Sequence, residues 1–107
     1  MNDDLELQVR RMLQQFEHHV VEMNKRNISA IAGEVKQEDF LKMAESISVL
    51  RAQYLKVVLQ IAHSSSADLN HKLCKQLKIH RQAYNEAMEG FGSLKHALER
   101  GYFSMSD

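Results

Sequence analysis

Apolar side chains between residues 69 and 98 recur at alternating steps of four and three along the chain. Side chains at that spacing share one face of an α-helix, so the pattern predicts a helix over about residues 67–98. With a rise of about 1.5 Å per residue, this helix runs roughly 45 Å and requires helical partners of similar length. The series consists of Leu73, Leu77, His80, Tyr84, Ala87, Phe91, Leu94 and Leu98.

A first helix is predicted from about residue 4 to about residue 32. Asp3 and Glu6 fit a capping box at its start, and Gly33 is a natural C-terminal stop. An apolar stripe, broadened by Leu13, indicates that one face is buried. The stripe consists of Leu5, Val9, Met12, Phe16, Val20 and Met23.

The second helix is predicted to begin between residues 35 and 39 and to end near His63. It is the most hydrophobic segment, so we expect it to be the most buried. Serines 64–66 break it, and a serine cap three residues before Asp68 starts the third helix. So short a connection predicts that the second and third helices are antiparallel neighbours. The apolar positions are Phe40, Met43, Ala44, Ile47, Leu50, Tyr54, Val57, Val58 and Ile61, with Leu41, Leu55, Leu59 and Ala62 on the flanks.

The composition supports a helical fold. The chain has 107 residues, no proline and four glycines, and proline and glycine are the residues that most disfavour helix interiors. Gly90 and Gly92 fall inside the third helix and predict a kink or a close helix contact near Phe91, whereas Gly101 marks its end. We predict an all-α protein in which residues 1–107 form a single domain. Its three long helices form an up-down-up antiparallel bundle with heptad-like seams, and the seams favour self-association as a two-fold homodimer.

No segment is predicted to enter a membrane or a secretory pathway. The longest apolar runs have only a few residues, as at residues 57–59, and residues 2–4 are polar and acidic where a signal peptide would be basic and then apolar. One cysteine, Cys74, excludes an intramolecular disulfide and suits a reducing compartment. These features lead us to expect a cytoplasmic protein.

Charge is unevenly distributed, although the net charge is zero. Between residues 46 and 85 there are six basic residues and one acidic residue, and a helical hairpin would gather these charges at one pole. We favour internal neutralisation by Asp3, Asp4 and Glu6 at the same pole of the bundle. The alternative is a docking patch for an acidic partner or a nucleic acid backbone. The residues that would form this patch are Lys72, Lys75, Lys78 and Arg81.

Neither metal chemistry nor covalent catalysis is predicted. His18 with Glu22 and His71 with Cys74 have spacings that place ligand atoms on one helix face. Each is only a pair, whereas a structural zinc site needs four ligands. Cys74 lies one turn from His71, but three amphipathic helices offer no oxyanion site, so a packing cysteine is the favoured interpretation. We predict no metal, no cofactor and no enzymatic activity.

Three further residues are candidates for regulation or binding. His80 occupies a seam position, where a histidine is usually neutral and hydrogen-bonded. The alternative is a pH-dependent assembly switch, because charging a buried imidazole is unfavourable. Tyr102 and Phe103 follow the third helix and either fold back on the bundle or contact another chain. They are therefore candidate partner-binding residues.

The sequence contains no motif that specifies a reaction. We therefore predict a non-catalytic helical interaction module: a small adaptor, a chaperone-like protein or a regulatory binding protein that acts through an apolar helical face. Its expected partners are a second copy of the chain and an unidentified protein. The alternative is a nucleic-acid-associated regulator that uses the basic residues from Lys72 to Arg81. A metal-dependent helical enzyme is a weaker third hypothesis.

Overall fold

The computed structural model describes residues 2–65 and 71–106, and helix makes up 86% of this part of the chain. The helices are α1 (Asn2–Ile31), α2 (Gln37–His63) and α3 (His71–Glu99), and two short strands are β1 (Val35–Lys36) and β2 (Met105–Ser106). The all-α prediction and the expected extents of α1 and α2 are confirmed. The predicted start of the third helix near residue 67, including the cap before Asp68, lies outside the described residues.

Glycines in the left-handed conformation follow α1 and α3. Gly33 has a φ of 85° and Gly101 a φ of 76°, a region that only glycine enters without strain. At the end of α3, the Gly101 N–H donates to the carbonyl of Leu98 at 3.0 Å, and the Tyr102 N–H donates to that of Ala97 at 2.8 Å. This is the Schellman arrangement, which satisfies carbonyls of the last helical turn. Both predicted helix stops are confirmed.

The two glycines inside α3 have a different environment. Helix α3 continues through Gly90 and Gly92, and a Cβ atom added to either residue would meet no atom of the described chain within 4 Å. The two glycines themselves therefore make no close helix contact within the described chain, and a kink at this point stays a prediction. Phe91, which lies between them, contacts the Phe40 ring edge-on, with 5.7 Å between the ring centroids.

The chain divides into two compact units, and Gln37–Leu94 forms one of them. Phe40 near the start of α2 contacts Phe91 near the end of α3, and Tyr54 further along α2 stacks on Tyr84, with 6.2 Å between centroids. The two helices are thus antiparallel neighbours, as predicted. Buried helical side chains of the described residues lie on α2, which confirms its expected burial, and these side chains are Ile47 and Val57.

The other unit combines Met1–Lys36 with Lys95–Asp107. Here β1 and β2 pair in parallel, with Val35 opposite Met105 and Lys36 opposite Ser106. The Val35 N–H donates to the Ser104 carbonyl at 3.1 Å, and Val35 is 6% exposed. The C-terminal residues therefore fold back onto their own chain. The sequence patterns did not predict this strand pair.

Two predictions about the whole chain stay predictions: the single domain over residues 1–107 and the up-down-up order of the three helices. Within the described residues, no helix has the length and apolar character needed to cross a bilayer.

Candidate functional site

The apolar stripe of α1 is largely open to solvent. Leu5 is 61% exposed, Met12 59% and Phe16 62%, although hydrophobic side chains at helical spacing normally mark a buried face. Val20 is half-buried, and no side chain of α1 is buried. The helix thus presents a continuous apolar face, which we call the α1 stripe. It consists of Leu5, Val9, Met12, Phe16, Val20 and Met23.

Helix α2 carries apolar side chains on two faces. Phe40 and Tyr54 lie on the face that contacts α3. At about 100° per residue, Leu41, Leu55 and Leu59 lie on a second face, turned by roughly 60–140° from those two residues. All three leucines are exposed. A helix that is apolar on both faces is normally covered on both. The exposed face, which we call the α2 outer stripe, consists of Leu41, Ala44, Ser48, Ala52, Leu55 and Leu59.

An open apolar groove of about 840 Å³ lies along the second half of this outer stripe. Ala52, Leu55 and Leu59 of α2 line it together with Leu73 of α3. Lys56 also lines the groove, so a cationic group borders the apolar surface. The groove is thus an apolar surface bordered by a cationic group.

Sequence reasoning placed Leu41, Leu55 and Leu59 on the flanks of α2 and missed them as a site. The signal was present, because these residues recur with three small ones at steps of three and four. Serine is polar and alanine is only weakly apolar, so the series does not stand out as one apolar stripe. Only the exposure of the leucines identifies it as a second face.

The candidate basic residues of α3 are all exposed, but they do not form one patch. Lys75 and Lys78 line a shallow groove with His71 and Cys74. Steps of three residues turn the side chains by about 60° each, so Lys72 and Arg81 point to opposite sides of α3. A straight nucleic acid backbone would contact only part of this set at once.

His80 lies half-buried in a groove between α2 and α3. Val57 lines this groove, and Lys56 contributes a second ionisable group. The remaining lining residues are glutamines 53, 60 and 76. The inward position predicted from the seam is therefore observed, and the pH-switch role of His80 stays a prediction.

Tyr102 and Phe103, the candidate partner-binding residues of the tail, are half-buried. The Arg100 guanidinium donates a hydrogen bond to the Tyr102 hydroxyl, and this bond lowers the pKa of Tyr102. Partial desolvation raises that pKa, and a hydrogen bond with Asn24 lowers it further. The same interaction raises the pKa of Arg100, with a smaller contribution from the Glu17 carboxylate. Tyr102 thus joins the tail to α1 of its own chain.

The histidines and Cys74 are the candidates for metal binding. The rings of His18 and His19 lie 6.0 Å apart, and Cys74 is an exposed free thiol. Across residues 2–65 and 71–106, no group of three histidine, cysteine, aspartate or glutamate side chains is placed to hold a metal ion.

These surfaces define the kind of site that the fold offers: helix faces lined by aliphatic and aromatic side chains and bordered by charged groups. Comparison with protein-family models, with curated proteins and with solved structures finds no match for this chain. The exposed helix faces therefore provide the basis for a functional proposal.

Proposed function

We propose that this protein is a non-catalytic helical interaction module, of the adaptor, chaperone-like or regulatory kind, that acts through the apolar face of α1 and assembles as a homodimer. The exposure of the α1 stripe carries the proposal. Large contiguous apolar patches on a protein surface mark interaction sites.

The energetic basis is the burial of this stripe. Full burial of a leucine, valine, methionine or phenylalanine side chain contributes about 1.5–3 kcal/mol. Association also carries an entropic penalty of roughly 4–15 kcal/mol, so a few side chains are not enough for a stable dimer. The six positions of the α1 stripe are enough only if most of them are covered together. A second copy meets this condition, because it brings an equal set of exposed apolar side chains.

A cytoplasmic location is part of the proposal. Cys74 is exposed and free, and a thiol in that position persists in a reducing compartment.

The proposal is tested by the absolute molar mass in solution, measured by light scattering over a range of concentrations. We expect twice the chain mass of 12.4 kDa. Phe16→Asp places a carboxylate in the α1 stripe and should give a mass close to that of one chain. Gln14→Asp is the matched control, because Gln14 is exposed about 200° away around α1 and the dimer should persist. A monomeric mass for the unmodified protein at every concentration would refute the proposal.

A further inference from the structure

The α1 stripe and the α2 outer stripe have the same spacing when one of them is read in reverse. From Leu5, the α1 stripe advances by four, three, four, four and three residues to Met23. From Leu59, the α2 outer stripe descends by the same five steps to Leu41. In an antiparallel helix pair, each position of one stripe therefore falls opposite a position of the other over about 27 Å.

Side-chain sizes match in this register. Phe16 falls opposite Ser48, and Met12 falls opposite Ala52, so large side chains of α1 meet small ones of α2. Large side chains facing small ones interdigitate, which lets the two helices approach and leaves little empty volume between them. The small side chains of Ser48 and Ala52 thus leave room for the large side chains of α1.

The charges beside the stripes are complementary as well. Glu6 follows Leu5 by one residue, and Lys56 follows Leu55 by one residue, so both lie on the same edge of an antiparallel contact. The positions of Glu6 and Lys56 along the helix axis differ by only about 3 Å in this register. Between residues 46 and 65, α2 and the segment after it contain two basic residues and no carboxylate, whereas the first turn of α1 is acidic.

We propose that the α1 stripe of one chain docks antiparallel on the α2 outer stripe of a second copy, and reciprocally, with Leu5 opposite Leu59 and Glu6 beside Lys56. The inference rests on the proposed homodimer and specifies its interface. Five of the six positions of the α1 stripe and all six of the α2 outer stripe are exposed, so both stripes are available to the partner. Pairing α1 with α1 would leave both α2 outer stripes uncovered, whereas the reciprocal exchange covers all four apolar faces.

Site-directed disulfide formation tests the register. In a Cys74→Ser background, one chain carries Val9→Cys and a second, mass-tagged chain carries Leu55→Cys. Val9 and Leu55 fall opposite each other in the proposed interface, within reach of a disulfide. After incubation together and mild oxidation, we expect a covalent dimer containing one chain of each kind. Gln14→Cys in place of Val9→Cys is the matched control and should give no covalent dimer with Leu55→Cys.

Three results would overturn the proposed reciprocal docking of α1 on the α2 of a second copy. Covalent dimers from the Val9→Cys chain alone would show that α1 pairs with α1. A chain carrying both cysteines that closes on itself without forming a covalent dimer would show that α1 covers its own α2. A dimeric molar mass with no mixed covalent product would place the interface elsewhere. A monomeric mass, by contrast, would refute the homodimer itself.

Charge exchange provides a second measurement that does not depend on oxidation. Glu6→Lys or Lys56→Glu alone should weaken the dimer by roughly three- to tenfold, because each places like charges side by side. The variant with both changes restores an opposite pair and should recover most of the affinity. Equal weakening by the single and the double variants would contradict the proposed pairing. Helix content measured by circular dichroism verifies that each variant is folded.

Discussion

Arg51 of α2 reaches Tyr84 of α3 in two ways. Its Nε–H donates a hydrogen bond to the Tyr84 hydroxyl at 3.1 Å, and its guanidinium carbon lies 5.4 Å from the centroid of the Tyr84 ring. The same ring stacks on Tyr54 at an interplanar angle of 18°. Tyr84 is thus a central contact between the two helices.

Two substitutions at Tyr84 distinguish the contribution of its hydroxyl to stability from that of its ring. Tyr84→Phe removes only the hydrogen bond, which is solvent-exposed, so we expect a loss of about 0.5–1 kcal/mol in the free energy of unfolding. Tyr84→Ala also removes the stacking and cation–π interactions, and the loss should rise to roughly 2–3 kcal/mol. Urea denaturation followed by circular dichroism measures both. Equal losses for the two variants would show that the ring interactions contribute nothing.

Glycine-to-alanine changes in and after α3 should have opposite signs. Gly101 has a φ of 76°, so Gly101→Ala forces a side chain into the left-handed region and should destabilise the protein by about 1–2 kcal/mol. Gly92 lies in the helix with open space at its Cβ position. Gly92→Ala should therefore stabilise by about 0.5–1 kcal/mol.

Thermal unfolding gives the sign of each change. Amide hydrogen exchange at Val35 adds a local measurement, because its N–H is bonded to Ser104 beyond Gly101. Gly101→Ala should speed exchange at this amide of β1 more than at the amides of α1. If both glycine variants shift stability in the same direction, the assignment of Gly101 as the helix cap is wrong.

The α2–α3 hairpin could be predicted because its information is local. The seam that includes Tyr84 and Phe91 has helical spacing over many turns, and the serines between the helices allow only a short connection. The helix stops at Gly33 and Gly101 were readable for the same reason, since a single residue type specifies the required backbone conformation.

The pairing of β1 with β2 could not be predicted in this way. Val35 and Met105 lie at distant points of the sequence, and strands of two residues are too short to show a period. Tyr102 illustrates the consequence for the candidate site. Its aromatic side chain after a helix end left two alternatives open, a fold back onto its own chain or a contact with another chain. Its interactions with Arg100 and Asn24 lie within its own chain, and its partner-binding role stays a prediction.

The hydrogen bond between Arg100 and Tyr102 predicts a shifted titration. It lowers the pKa of Tyr102 from its ordinary value of 10.0, so the phenolate absorbance of Tyr102 should appear at lower pH than that of a free tyrosine. Arg100→Gln should move the midpoint back towards the ordinary value. Tyr102→Phe identifies which of the tyrosine transitions is involved.

The same shift has a defined effect on stability. Because the folded-state pKa of Tyr102 is depressed, its phenolate contributes stability above the unfolded-state pKa, and this contribution disappears as pH falls through the folded-state value. Arg100→Gln should therefore reduce stability more at strongly alkaline pH than at pH 7. An identical loss at both pH values would mean that ionisation of Tyr102 is not linked to folding.

The basic residues of α3 provide the last prediction, because they separate the proposed module from a nucleic-acid-associated regulator. Lys75 and Lys78 lie on the side of α3 away from His80 and its groove with α2. Lys75→Glu/Lys78→Glu should therefore leave the dimeric mass unchanged. We also expect this variant's weak, salt-sensitive association with duplex DNA to match that of the control Lys25→Glu/Arg26→Glu, which has the same charge change on α1.

A regulator that binds phosphates through α3 would behave differently. The slope of the logarithm of its DNA-binding constant against the logarithm of salt concentration would become shallower by about one for each phosphate-binding side chain replaced. This change would occur only in the α3 variant.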